Sequence, residues 1–363
     1  VSHARTPHLP AVRNFPPRDR PGSGACPAAL PRGTRPFLAT PASPMALHWR
    51  LQLVDHAARW RFKRHAERPL DVAWVRRRLG RPLWARRLIT PPILRARDTA
   101  AGCAIDMLRP PVREVPVVER TLLYVHGGGY FACSTDTHRP LAARLAREWR
   151  ALAFVPEYRL APEHPFPAAR DDVLAVWEAM LARHGADPAH AVWAGDSAGG
   201  GLALSAALAC AERGLPRPAA IVTFSPWVDL SCAGASLEEN AERCAMFVPA
   251  QLRAAAALYA SDHALVHPGV SPLFGDLRAM PPLCVHAGED ELLRDDAQRL
   301  AAAAAAAGVS VEARLWPGVP HVWQFLAGFL PEARESLDAA RAFVERHVPA
   351  SGLAVAPSTG PAR

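Results

Sequence analysis

Ser197 stands in Gly195-Asp196-Ser197-Ala198-Gly199, where the short apolar run Val192-Trp193-Ala194 ends and an Ala/Leu-rich stretch to about Arg213 begins. This is the order strand, sharp turn, helix, with the serine at the turn. Gly195 and Gly199 carry no Cβ, so strand and helix can approach closely while the hydroxyl is pushed clear of the sheet. The Ala198 N–H then lies at the positive end of the helix. A serine placed this way is a nucleophile once a base can take its proton. Five residues of this kind also occur in ordinary turns, so the rest of the chain has to decide.

Two further stretches supply the missing chemistry. Leu122-Leu123-Tyr124-Val125 runs into His126-Gly127-Gly128-Gly129-Tyr130. An apolar strand that ends in three glycines offers backbone N–H groups at a sheet edge. Gly127, Gly128 and Gly129, with Ala198, are therefore candidate donors to a developing oxyanion. A phosphate-binding loop would need Gly-Lys-Ser/Thr or a Gly-x-Gly-x-x-Gly helix start, and neither follows. His126 reads as a structural hydrogen-bonding histidine.

The base is expected at His321, in Trp316-Pro317-Gly318-Val319-Pro320-His321. Of 15 histidines it alone follows the last expected strand in a Gly/Pro turn. Capping of the next helix is its bland alternative. The orienting acid is expected at Asp290, just past the glycine that ends Leu283–Gly288. Glu289, Asp295 and Asp296 compete for that role. Asp295 and Asp296 suit the first turn of the following helix better, where negative charge opposes the helix dipole.

These residues need a scaffold that brings distant loops together. From about residue 100 the pattern alternates between strands and helices. Strands are expected near 103–108, 121–125, 151–155, 191–194, 219–224, 283–287 and 311–315. Helices are expected near 138–149, 170–184, 198–213, 295–307 and 331–347. This alternation predicts an α/β fold with a mostly parallel central sheet, helices on both faces and its loops gathered at the carboxyl edge. Residues 99–348 form the expected catalytic domain. Residues 231–268 read as an inserted helical piece, with Ala250–Tyr259 as its helix.

The N-terminal part differs in composition. The net charge is +8, yet residues 1–97 hold 20 basic against 4 acidic residues and the remainder holds 22 against 30. Residues 1–44 contain ten prolines and read as a disordered, Pro/Arg-rich extension. Met45 stands where order is expected to begin, which suggests an over-extended start. Residues 45–98 are expected to form a helical cap, with basic amphipathic helices over 46–66 and 71–88. The favoured reading is a lid with its apolar face on the body and its arginines in water. The alternative is peripheral contact with an anionic membrane surface. Basic residues alone do not make a nucleic-acid binder, and no such motif accompanies them. The seven cysteines form no Cys-x-x-Cys and read as reduced thiols of a cytoplasmic protein. No apolar run reaches the roughly 18 residues needed to span a bilayer. Residues 349–363 read as a disordered tail.

With these motifs in view, the chain resembles the hormone-sensitive-lipase family of α/β-hydrolases. The matching residues are His126–Gly129, Gly195–Gly200, Asp290 within Asp-Glu-Leu-Leu, and His321 in Pro-His-Val-Trp. Tyr158–Ala168 and Ser225-Pro226-Trp227-Val228-Asp229 are also similar to blocks of that family. The order serine, acid, histidine fits the same fold. The resemblance implies a serine carboxylesterase for short- to medium-chain acyl esters, acting through an acyl-enzyme and needing no metal or organic cofactor. It implies Ser197 as nucleophile, His321 as base, Asp290 as orienting acid, and chiefly Gly128, Gly129 and Ala198 as oxyanion donors. Tyr130, Phe131, Trp227 and Phe325 are candidates to line the substrate pocket, and each is equally an ordinary core aromatic. A small ester is the expected partner, with a homodimer open. The alternatives are a non-catalytic small-molecule receptor on the same fold and a hydrolase of amide or other acyl bonds.

Overall fold

The computed structural model describes residues 37–39, 49–63, 69–80 and 90–351. Among the described residues a nine-stranded sheet carries the fold: β1 (Phe37–Ala39), β2 (Leu94–Ala100), β3 (Cys103–Arg109), β4 (Arg120–Val125), β5 (Ala151–Glu157), β6 (Ala191–Asp196), β7 (Ala220–Phe224), β8 (Leu283–Gly288) and β9 (Val311–Trp316). Their spatial order is β1-β9-β8-β7-β6-β4-β5-β3-β2. β2 and β3 form an antiparallel hairpin, and β3 also runs antiparallel to β5. Every other pairing is parallel. Parallel strands put their carboxyl ends on one edge, so the segments after β4, β6, β8 and β9 emerge together.

The α-helices among the described residues are α1 (Trp49–Arg61), α2 (Val72–Gly80), α3 (Thr135–Glu148), α4 (Ala168–Arg183), α5 (Ala198–Glu212), α6 (Ser236–Glu239), α7 (Pro249–Ala260), α8 (Arg294–Ala306) and α9 (Pro331–His347). The pleat sends alternate residues of a strand to opposite faces. Leu123 and Val125 of β4 join one core with Trp177 of α4, Leu202 of α5 and Leu300 of α8. Leu122 and Tyr124 join the other with Leu145 of α3 and Phe343 of α9. α5 is buried almost all round, which its Ala-rich sequence, free of charge up to Glu212, allows. α3 starts at a reciprocal capping box between Ser134 and Thr137.

The cap helices rest on both cores. Leu51 of α1 is buried in the second core, and Val72, Val75 and Leu79 of α2 pack against the first. α1 and α2 fall inside the expected 46–66 and 71–88. The parts at 46–48, 64–66 and 81–88 lie outside the described residues. Between β7 and β8 the described residues make α6 and α7 and no strand.

Two strands were not expected from the sequence. β2 is an edge strand that alternates charge rather than apolar residues (Arg95, Arg97, Asp98), so it lacks the burial signal that marks the interior strands. β1 lies within 1–44, where Phe37–Ala39 adds in parallel to β9. The other residues of that extension, and the tail beyond Ser351, lie outside the described residues.

Candidate active site

The turn after β6 holds Ser197 at φ 52°, ψ −126°, a backbone conformation that non-glycine residues rarely adopt. Hydrogen bonds on both sides fix it: Ser197 N–H donates to Phe224 O at 2.9 Å, and Trp227 N–H donates to Ser197 O at 3.0 Å. The flanking glycines are required by contact. A Cβ on Gly195 would lie 2.5 Å from Gly199 O, and one on Gly199 would lie 2.2 Å from Val125 O.

His321 follows β9 in the loop Pro317–Val322 and is 8 % exposed. Its Nδ1 meets Glu291 Oε2 at 2.5 Å. Its Nε2 is buried and has no hydrogen-bond partner among the described residues. An imidazole held at Nδ1 by a carboxylate keeps Nε2 ready to accept a proton.

The carboxylate is Glu291, not Asp290 as expected. Glu291 is 2 % exposed, and its other oxygen accepts from Gly288 N–H at 2.6 Å and from the Ser225 hydroxyl at 2.7 Å. Ser225 Oγ in turn accepts from Val322 N–H, next to the histidine, at 3.3 Å. Asp290 turns outward, one third exposed, and pairs with Arg243 at 3.4 Å. The turn after Gly288 spends two residues, Glu289 and Asp290, before the chain re-enters the interior at Glu291, and Leu292 and Leu293 follow it into the core. An acidic residue directly preceding two buried leucines was the available signal. Asp295 and Asp296 begin α8, as expected.

The glycine loop divides into one structural and two available donors. Gly127 N–H donates to Asp196 Oδ1 at 3.1 Å, so it is removed from the expected oxyanion donors. The N–H groups of Gly128 and Gly129 form no hydrogen bond among the described residues. Ala198 opens α5, where first-turn N–H groups have no intrahelical acceptor. Asp196 also accepts from Tyr124 Oη at 2.6 Å and meets His138 Nε2 at 3.3 Å. Burial would raise the Asp196 carboxyl, but His138 and the Tyr124 hydroxyl hold it below the usual range. His126 stacks on Tyr158 at 4.2 Å, and burial lowers its ring to about 3. It is a neutral structural histidine.

Two of the four candidate pocket aromatics are spent on the core. Tyr130 and Trp227 are each 1 % exposed, and Tyr130 stacks on Tyr259 at 3.8 Å. Phe325 packs edge-on against His138 at 5.1 Å. Phe131 lies over Gly129, where an added Cβ would come within 2.8 Å of its ring. A cavity of about 210 Å³ opens instead on the acid side of His321, bounded by Asp55 and Arg59 of α1, Arg243, Asp290 and Pro320. None of the four aromatics lines it.

Comparison with known proteins agrees with the fold. A family model described as an alpha/beta hydrolase fold matches residues 122–325. An acetyl-hydrolase of Streptomyces hygroscopicus is 41 % identical over 246 residues, covering 68 % of this chain and 81 % of that protein. A solved esterase from the bacterial hormone-sensitive lipase family superposes with a TM-score of 0.74 at 35 % identity, covering 84 % of this chain and all of its own. The esterase EstE5, in a crystal soaked with p-nitrophenyl butyrate, superposes with a TM-score of 0.74 at 33 % identity, covering 83 % and 99 %. The chain belongs to the α/β-hydrolase family, in its hormone-sensitive-lipase branch of carboxylic ester hydrolases.

Proposed function

We propose that the protein is a serine carboxylesterase for short- to medium-chain acyl esters, with Ser197, His321 and Glu291 as its triad. The observation that carries this is His321, clamped at Nδ1 by a buried, doubly hydrogen-bonded Glu291 while Nε2 stays unpartnered. Ser197 Oγ attacks the ester carbonyl carbon as His321 Nε2 takes its proton. The oxygen becomes an oxyanion, received by the N–H groups of Gly128, Gly129 and Ala198. The carbon–oxygen bond to the alcohol breaks, and the proton passes from Nε2 to the leaving oxygen. Water then attacks the acyl carbon, giving a proton to the same nitrogen; the bond to Ser197 Oγ breaks, Nε2 returns its proton to Oγ, and the acid leaves. Glu291 holds Nδ1–H in place throughout.

Similarity to an acetyl-hydrolase, and to an esterase soaked with a butyrate ester, supports short acyl groups. Six described cysteines are free thiols, which supports a reducing compartment such as the cytoplasm. The test is hydrolysis of 4-nitrophenyl esters from acetate to decanoate. Wild type should turn over the short members best, and Ser197→Ala should lose about 10⁴- to 10⁶-fold in kcat. Equal rates for both proteins would remove the serine mechanism. An anilide of the same acid separates ester from amide hydrolysis.

Peripheral membrane contact is supported by one feature of α1: Trp49, Leu53 and Trp60 are 59, 55 and 62 % exposed, on a strongly basic segment. Co-sedimentation with anionic vesicles that weakens with salt is the expected result. Equal sedimentation with neutral vesicles would count against it.

A further inference from the structure

Val72, Val75, Arg76 and Leu79 share one face of α2 by their spacing. The three apolar members pack against the core cluster that holds Tyr130 and Phe131. Arg76 is thus a cation on an inward apolar face. Its Nε donates to Phe131 O at 2.7 Å, its Nη2 to Ala161 O at 2.8 Å, and Nη1 and Nη2 to the two Glu163 oxygens at 2.7 Å each. Hydrogen bonds from Arg76 lead the causes that bring the Glu163 carboxyl down to about 2.

Both segments that Arg76 grips bracket the oxyanion turn. The N–H groups of Phe131 and Ala132 donate to Gly128 O at 3.2 and 2.9 Å, closing the turn that presents Gly128 and Gly129. Ala161 N–H donates to Tyr130 O at 3.0 Å. Asp196 holds the start of this loop from the interior through Gly127, and Arg76 holds its end from the cap. A guanidinium suits this task because its planar fork can serve several fixed acceptors at once, which an ammonium cannot.

We propose that Arg76 is a positioning residue for the oxyanion donors: seating of α2 sets the aim of the Gly128 and Gly129 N–H groups through the Phe131 carbonyl. Cap seating and transition-state stabilisation are thereby coupled. The inference rests on the ester-hydrolase reading given under Proposed function. An interaction that matters chiefly in the transition state reports in kcat rather than KM.

The experiment compares Arg76→Met, Arg76→Lys and Arg78→Met on 4-nitrophenyl butyrate, with thermal melts to confirm folding. Arg78 is the control: it lies on the same helix and donates to Arg61 O within the cap. Arg76→Met should lower kcat about 10- to 100-fold with KM within about threefold. Arg76→Lys should regain part of that loss, and Arg78→Met should keep wild-type kcat. The inference is overturned if Arg76→Met keeps wild-type kcat, or if Arg78→Met loses as much. It is also overturned if both Arg76 variants change only KM or melting temperature. A wild-type protein without hydrolysis, and without phosphonylation at Ser197, would instead sink the ester-hydrolase reading and this inference with it.

Discussion

The catalytic loops and the cap are held by different chemistry. In the loops, enclosed side chains lock one another: Glu291 and Asp196 are each 2 % exposed, and each serves three partners. In the cap, cations reach across to backbone carbonyls. Arg59 donates to Glu242 O and Arg243 O at 2.8 and 2.6 Å, and Lys63 to Ala241 O and Glu242 O at 2.8 Å each. A carbonyl is an acceptor whatever residue carries it, so the cap seat demands little of the body's sequence. The loops demand particular side chains at particular places. Substitutions in the first region should strike chemistry, and substitutions in the second should strike the seating of the cap. Arg76 is where the two meet.

The sharpest break of this contrast lies within one turn. Glu291→Ala should lose about 10²- to 10⁴-fold in kcat, and Asp290→Ala only a few-fold, since its partly exposed pair with Arg243 is a weak contact. Steady-state kinetics on a butyrate ester checks this, and the reverse order would reinstate Asp290. Next comes Asp196→Ala, which strands Tyr124, Gly127 and His138. A destabilisation of about 3–5 kcal/mol in urea unfolding is expected, with lost activity.

A third effect depends on pH. Asp296 accepts from Val228 N–H and Asp229 N–H at 2.8 Å each, yet burial raises its carboxyl to about 7. In the unfolded chain an aspartate ionises near about 3.9. Between those values the folded protein keeps a proton that the unfolded chain has lost. Stability therefore falls as pH rises through that window, by up to about 1.4 kcal/mol per pH unit. Asp296→Asn keeps an acceptor for both N–H groups and should flatten this slope in urea melts at several pH values. The smallest effect belongs to the cap. Lys63→Met should speed limited proteolysis of the cap about tenfold while kcat holds. A fall in kcat equal to that of Arg76→Met would erase the distinction between seating and aiming.

Interior features were the legible ones. β4, β6, β7 and β8 are short, largely apolar runs with turn residues after them, β9 alternates apolar residues with Glu312 and Arg314, and Ser197 and His321 follow strand ends that glycine and proline mark. Asp290 was favoured over its neighbours for its closeness to Gly288, but the number of residues a turn needs before it re-enters the core decided for Glu291. Gly127 carries the same sequence signal as Gly128 and Gly129. Only the Asp196 carboxylate beneath it shows that its N–H is already used. Tyr130 and Trp227 read equally as pocket or core; Tyr130 packs against Trp227 and is stacked on by Tyr259, which arrives from far along the chain. Edge strand β2 carried no apolar pattern to find.

Peptide-mapped labelling with a fluorophosphonate tests the central claim most directly, because the reagent reports a serine activated by its base. One stoichiometric adduct on Ser197 in the wild type is expected, slowed strongly by Glu291→Ala and hardly by Asp290→Ala. No adduct, an adduct on another residue, or labelling indifferent to Glu291 would contradict the account.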